Sequence, residues 1–260
     1  MQTFGVEMVA QPEINHSTER TFMTSDSQFS ITRAISTLSA AKQVAAKWVS
    51  SEISLAQMQS QLDAVTGNST TTPPVVGQVE IASQAQRNHD GALGDWRAGL
   101  KELHQRSVQA LNMAKTKFRN DPASLAVLSS LHAAGGSPDK ILSEALAWES
   151  AWGQLAPTWS PTTTNTLAAF KLLRKQCAED LQTAYTDADS ANREAAGTLE
   201  QMCESLEDTN VSWYADATRI FPAGTPEGDM IRSSIPTTYT PPADKTATAT
   251  STAQSAPKTP

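Results

Sequence analysis

The fold is decided by the stretch FKLLRKQCAEDLQTAYTDADSANREAAGTLEQMCESL, residues 170–206. Its apolar residues are spaced by three or four positions, about 3.6 on average, which is the period of an α-helix rather than of a strand. No proline occurs from Thr162 to Phe221, so the spacing predicts a single helix of about 60 residues and about 90 Å. Such a helix indicates an elongated body. The stripe comprises Phe170, Leu173, Cys177, Leu181, Ala184, Ala188, Ala191, Ala195, Leu199, Met202 and Leu206.

Similar spacing predicts two further long helices. The first begins at an N-cap among residues 24–27 and runs to Val65, where Gly67 and Asn68 end it. The second begins near Gln78 and continues to residue 118, with a possible break at residues 88–91. The predicted fold is therefore all-α: an elongated antiparallel bundle, or coiled-coil-like rod, with three long helices.

Two short helices and a strap complete the predicted bundle of residues 28–235. Asp121 with Pro122, and Ser137 with Pro138, are N-cap and first-turn pairs that start the short helices. The segment 221–238 is rich in turn residues but still apolar, and it is predicted to fold back over the end of the last helix, with docking on a partner as the alternative.

The two ends of the chain have no helical period. Residues 1–27 are polar and predicted to be flexible, and residues 236–260 form a Thr/Pro/Ala-rich tail predicted to be disordered. Residues 1–22 lack the basic and apolar regions of a secretory signal, and no stretch is apolar enough to span a membrane. A cytoplasmic location is the default prediction, with export by a non-classical route as the alternative.

A register follows if the first two long helices form a hairpin. The link between them is centred near residue 71 or 72, so residues that face each other should have numbers adding to about 143. Trp48 and Trp96 meet this condition, and each lies in its apolar stripe. We therefore expect the two rings to lie at one level of the hairpin core.

Motifs of catalysis and metal binding are missing from the sequence. The one Glu-x-x-His spacing, Glu13 and His16, lies in the polar N-terminal segment without a helical period, and no phosphate-binding glycine loop or Gly-x-Ser-x-Gly is found. The carboxylates of Asp187 and Asp189 do not continue into a calcium loop. Cys177 and Cys203 on one helix would lie about 39 Å apart and cannot form a disulfide. We expect no enzyme activity, no cofactor and no metal.

Aromatic residues are the only candidate functional positions. Trp159, Trp213, Tyr214 and Phe221 are candidates for binding a partner protein, because exposed aromatic side chains often anchor interfaces. The alternative is that they fill the core or cap it.

These observations favour a non-enzymatic structural or interaction protein: a spacer, adaptor or assembly subunit. A protein partner or self-assembly is expected, in an oligomeric state that the sequence leaves open. The net charge of −7 argues against a nucleic-acid partner. The alternatives are the soluble form of an α-helical membrane-active protein, resembling a pore-forming toxin, and an enzyme with a site between helices. A polar link at residues 67–74 argues against the first alternative, and the missing motifs argue against the second.

Overall fold

The structure is a computed structural model that describes residues 25–131 and 136–237. Within these residues the chain forms eight α-helices and no strand, which confirms the predicted all-α fold. The predicted flexible and disordered ends lie outside the described residues, except for residues 25–27, which belong to the first helix, and residues 236 and 237, which follow the last one. The helices span Ser25–Val44 (α1), Leu55–Thr66 (α2), Gln78–Lys117 (α3), Pro122–Ser129 (α4), Pro138–Leu155 (α5), Leu167–Ala178 (α6), Asp180–Ile220 (α7) and Pro226–Ser234 (α8).

Two long antiparallel helices, α3 and α7, form the centre of the molecule. The Gln78 side-chain amide donates to the Ala195 carbonyl at 3.0 Å. Further along, the Trp96 indole donates to the Cys177 carbonyl at 3.1 Å. From Gln78 to Trp96 the residue numbers rise along α3, while those of the hydrogen-bond partners fall from Ala195 in α7 to Cys177 at the end of α6. Since α6 leads into α7, the helices α3 and α7 run in opposite directions.

The predicted single helix through residues 170–206 is divided at Glu179. This residue has φ −114° and ψ −69°, which ends α6 and begins α7. Backbone hydrogen bonds still run from the Glu179 amide to the Lys175 carbonyl and from the Thr183 amide to the Glu179 carbonyl. The prediction of one unbroken helix is therefore wrong at Glu179, and the helix begins at Leu167 rather than near residue 162, but the stripe continues across the junction.

The first lobe comprises residues 25–82 and 195–237. In this lobe α1, α2 and α8 each pack against α7, and α2 also packs against α3. Arg33 forms an ion pair with Glu207, and Trp48 contacts Phe221, so α1 runs parallel to α7. The buried core residues of the first lobe are Ala34, Leu38, Ala40, Ala41, Val44, Met58, Leu62, Val65, Ala82, Ala195, Leu199, Cys203, Leu206, Trp213, Ala217, Ile231 and Ile235.

The second lobe comprises residues 99–179, of which residues 132–135 are not described. Here α4, α5 and α6 pack against the C-terminal half of α3. The two predicted short helices, α4 and α5, thus lie together at one end, and Asp121 caps α4 as expected. The buried core residues of the second lobe are Leu100, Leu103, Ala110, Leu111, Ala114, Leu128, Ala145, Trp148, Ala151, Trp152, Phe170 and Cys177.

The predicted first long helix is wrong, because residues 45–54 break it into α1 and α2. The Ser50 hydroxyl accepts hydrogen bonds from the backbone amides of Glu52 and Ile53. Ser54 then caps α2, and the Gln57 side chain closes a capping box with the Ser54 backbone. These local bonds replace the backbone bonds of a continuous helix.

The predicted hairpin between the first two long helices is also wrong. Lys42 donates to Gln59 at 3.0 Å, so α2 turns back along α1. Since α1 is parallel to α7 and α3 is antiparallel to it, α2 and α3 point the same way. Trp48 accordingly lies in the first lobe, and Trp96 packs against the core of the second. The three predicted long helices are therefore two, α3 and α7.

A small loop, residues 67–77, joins α2 to α3. Asn68 and Val75 pair across it through two backbone hydrogen bonds of 2.8 and 2.9 Å. Gly67 has φ +83°, and a Cβ on Gly77 would lie 2.2 Å from the Gly67 nitrogen. Only glycine allows the base of the loop to close so tightly. This closure places the start of α3 directly beside the end of α2.

The strap prediction is confirmed, with the correction that it contains a helix, α8. Ile231 and Ile235 are 0% and 2% exposed in the first-lobe core. Arg232 donates to the carbonyls of Phe221 and Thr218 at the end of α7. The segment thus docks within the chain.

Candidate interaction surface

Three of the four predicted partner-binding residues lie together in the first lobe. The Trp213 side chain is in the core, 2% exposed, with its ring centroid 6.0 Å from that of Trp48. Phe221 meets Trp48 edge-on at 6.2 Å, and the Arg33 guanidinium lies 6.0 Å above the Tyr214 ring. As folded, Trp213 offers no surface to a partner. Tyr214 and Phe221 are half-buried, and their binding of a partner stays a prediction.

The fourth residue, Trp159, lies apart from these in the second lobe. Its ring centroid is 5.8 Å from that of Trp152 and 6.3 Å from that of Phe118. The Trp152 indole donates to the Trp159 carbonyl at 2.9 Å, and the Lys117 ammonium lies 6.0 Å from the Trp159 ring. Trp159 is thus half-buried against the second core, and its binding of a partner stays a prediction.

The segment between the lobes, which we call the neck, consists of residues 83–98 of α3 and 180–194 of α7. No side chain in either range is buried. The two helices shield each other only on the faces that they share. The apolar stripe of α7 is wider than this contact, because Ala184 and Ala191 lie in the neck and are exposed.

Aromatic stacking holds the neck at its second-lobe end. The Trp96 and Tyr185 rings are parallel within 12°, with centroids 5.1 Å apart. The Trp96 indole also donates to the Cys177 carbonyl. Stacked rings contribute about 0.5–1.5 kcal/mol beyond the area they bury, so this pair fixes the spacing of α3 and α7.

Polar contacts join α3 and α7 along the rest of the neck, toward the first lobe; we call this line of contacts between the two helices the seam. His89 Nδ1 lies 3.0 Å from Asp90 Oδ1, and His89 Nε2 lies 3.6 Å from Asp189 Oδ1. The Asn192 side-chain amide donates to Gln86 at 3.1 Å. The His89–Asp189 and Asn192–Gln86 contacts join the two helices and specify their register without burying much apolar surface.

A groove of about 620 Å³ runs along one side of the neck, where the neck meets the first lobe. We call it the neck groove. Val76 is 64% exposed there and Ile81 46%. Its remaining lining residues are Glu80, Gln84, Ala85, Asn88, Asp187, Ala188 and Ala191. Apolar side chains left open in a continuous patch are typical of a binding surface.

The carboxylates of the neck groove, Glu80 and Asp187, stand in solvent. Glu80 pairs with Arg87 at 3.0 Å, and both side chains are more than half exposed. An exposed pair of this kind contributes roughly 0–1 kcal/mol, so Glu80 remains available to a cationic partner. The groove therefore combines apolar surface with negative charge.

A second groove, of about 470 Å³, lies between α1 and α7 in the first lobe. Five carboxylates contribute to its lining: Asp26, Glu200, Glu204, Glu207 and Asp208. Across the described residues, no three His, Cys, Asp or Glu side chains are placed to hold a metal ion.

Neither cysteine is disposed to act as a nucleophile. Burial, with the nearby Glu102 carboxylate, raises the pKa of the Cys177 thiol to about 11. Burial likewise raises the pKa of Cys203. Because the thiolate is the reactive form, both groups stay protonated and inert at neutral pH.

Sequence reasoning missed Val76 and Ile81 as surface residues. A signal existed: two valines follow the proline-rich turn at residues 73 and 74, where no helical stripe claims them. The second signal was the run of alanines in the apolar stripe of α7, Ala184, Ala188 and Ala191. Their helix face is wider than the contact with α3, so part of it remains open.

The chain was also compared with known proteins. No protein-family model, curated protein or solved structure matches it. No helix of the described residues is both long and apolar enough to cross a membrane. The function is therefore inferred from the residues of this chain alone.

Proposed function

We propose that this protein is a non-enzymatic helical interaction protein, a spacer, adaptor or assembly subunit, that binds a protein partner in the neck groove. The observation that carries the proposal is the exposure of Val76 and Ile81 beside the neck, in which no side chain is buried. An added helix in this groove would cover the alanines of α7 and complete a bundle around the neck. Helix faces of this kind gain most of their stability from such packing.

In this proposal the two lobes fix the ends of the neck, so that the neck groove stays accessible to a partner. Each lobe has its own core: the first includes parts of α3 and α7, and the second includes parts of α3 and of α6, which leads into α7. The inert thiols support a non-enzymatic role, because Cys177 and Cys203 are the strongest nucleophiles that the sequence offers.

Affinity purification from the native source tests the proposal with a matched pair of variants. Ile81→Glu places a charge in the neck groove. Ile220→Glu is the control, because Ile220 is also 46% exposed but lies outside the groove. We expect a stoichiometric partner with wild type and with the control, and its loss with Ile81→Glu. Equal recovery with both variants would contradict the proposal.

A further inference from the structure

A second exposed apolar surface lies on α6, and its chemistry is the complement of the neck groove. Leu172 is 69% exposed, the highest value among large apolar side chains of the described residues, and Val76 in the groove is next. Lys171 and Lys175 are also exposed, and Lys175 lies three positions after Leu172 and four after Lys171, spacings that make it a neighbour of both on the helix surface. We call these three residues the α6 face.

The charges of this surface are available to a partner. Lys175 pairs with Glu179 at 3.7 Å, and both side chains are more than 60% exposed. Pairs at this distance and exposure are weak and exchange readily with solvent. The α6 face thus presents one exposed leucine beside two accessible ammonium groups.

The net charges of the lobes and the neck also favour contact between the α6 face and the neck groove. The second lobe carries nine basic and six acidic residues, for a net charge of +3. The neck carries −3 and the first lobe −6. A cationic lobe and an acidic neck on the same chain attract each other when they belong to different copies.

We propose that the α6 face of one copy docks in the neck groove of a second copy of this chain. Leu172 packs on Val76 and Ile81, and the two lysines approach Glu80 and Asp187. The proposal rests on the proposed function, since it names the partner for the groove.

Docking within one copy is excluded by the helices themselves. The α6 face and the α7 wall of the groove lie on neighbouring helices joined at Glu179, with backbone hydrogen bonds across the junction. Leu172 and Ala188 are about 24 Å apart along that axis. The α6 face therefore reaches a groove only on another molecule, and the contact joins two different surfaces.

Sedimentation velocity over a range of protein concentrations, at low and high salt, tests this inference. We expect wild type and Ile220→Glu to self-associate, more weakly at high salt. Ile81→Glu, with a damaged groove, and Leu172→Glu, with a damaged face, should each weaken association by at least tenfold. Both positions are exposed, so circular dichroism should show unchanged folding.

Mixing the two variants provides the decisive arm. Each retains the surface that the other lacks, so the mixture should form a complex of one Ile81→Glu chain with one Leu172→Glu chain. A mixture that stays monomeric, or a Leu172→Glu chain that associates like wild type, would overturn the inference. If wild type is monomeric while Ile81→Glu still loses a partner from the native source, the groove binds a different protein. In that case the inference fails and the proposed function stands.

Discussion

The close approach of α3 and α7 at Gly99 yields a stability prediction. A Cβ at this position would lie 2.8 Å from Leu181 Cδ1 and 3.0 Å from Cys177 Sγ. The leucine can rotate away, but Cys177 is 0% exposed and has little room to move. Gly99→Ala therefore adds a methyl group to a filled contact.

Gly94→Ala is the matched control on the same helix. A Cβ at Gly94 meets nothing within 4 Å, so this variant gains only the helix preference of alanine over glycine, about 1 kcal/mol. Gly99→Ala makes the same gain but loses about 1–3 kcal/mol to overpacking. The free energies of unfolding of the two variants should therefore differ by about 1–3 kcal/mol, with Gly94→Ala the more stable.

Urea unfolding measures this difference. Tryptophan fluorescence and far-ultraviolet circular dichroism should give coincident transitions before the free energies are compared. If Gly99→Ala stabilises the protein as much as Gly94→Ala does, the helices are not in contact at Gly99, and the antiparallel register of α3 and α7 is wrong.

Three further predictions concern the seam, the caps and the thiols. A double-mutant cycle on Trp96→Ala and Tyr185→Ala should show coupling of about 0.5–1.5 kcal/mol in urea unfolding; additive effects would mean that the rings do not stack. Ser54→Ala should cost about 0.5–2 kcal/mol through loss of the α2 cap, and Ser51→Ala, at an exposed position outside any helix, much less. Folding raises the Cys177 pKa from 9.0 to about 11, so its thiol contributes stability below pH 9 that is lost as the pH rises through 11. A Cys177→Ala variant should therefore lose less stability than wild type over that range. Equal losses would contradict the raised pKa of Cys177.

The sequence was sufficient for the parts of the fold that depend on local bonds and helical period. The Asp121 cap, the start of α3 at Gln78 and the stripe through residues 170–206 all follow from neighbours along the chain. Glycines within α3 did not break it, although each costs about 1 kcal/mol relative to alanine.

Tertiary contacts decided the rest. The stripe of α1 and that of α2 read as one helix, since period alone does not show where the chain turns, and the turn at residues 45–54 also brings Trp48 onto Trp213. The polar link near residue 71 fitted a hairpin as well as a closed loop. The neck groove could not be predicted for a related reason: an apolar stripe shows which face of a helix is apolar, but not which other helix packs on that face.

The separation of the lobes by the neck is the central claim, and a spin-label distance tests it directly. Ile35→Cys and Leu146→Cys place labels on exposed positions of α1 and α5. Arg33 contacts Glu207, and Glu149 contacts Arg174, so the labels lie about 32 residues, or about 48 Å, apart along the α6–α7 axis.

Double electron–electron resonance on the doubly labelled chain measures this distance, with labelled wild type as the background control for Cys177 and Cys203. We expect a distribution centred near 50 Å. A centre at about 25 Å or less, as expected for a single compact body of this length, would contradict the two-lobed structure and with it the open neck groove.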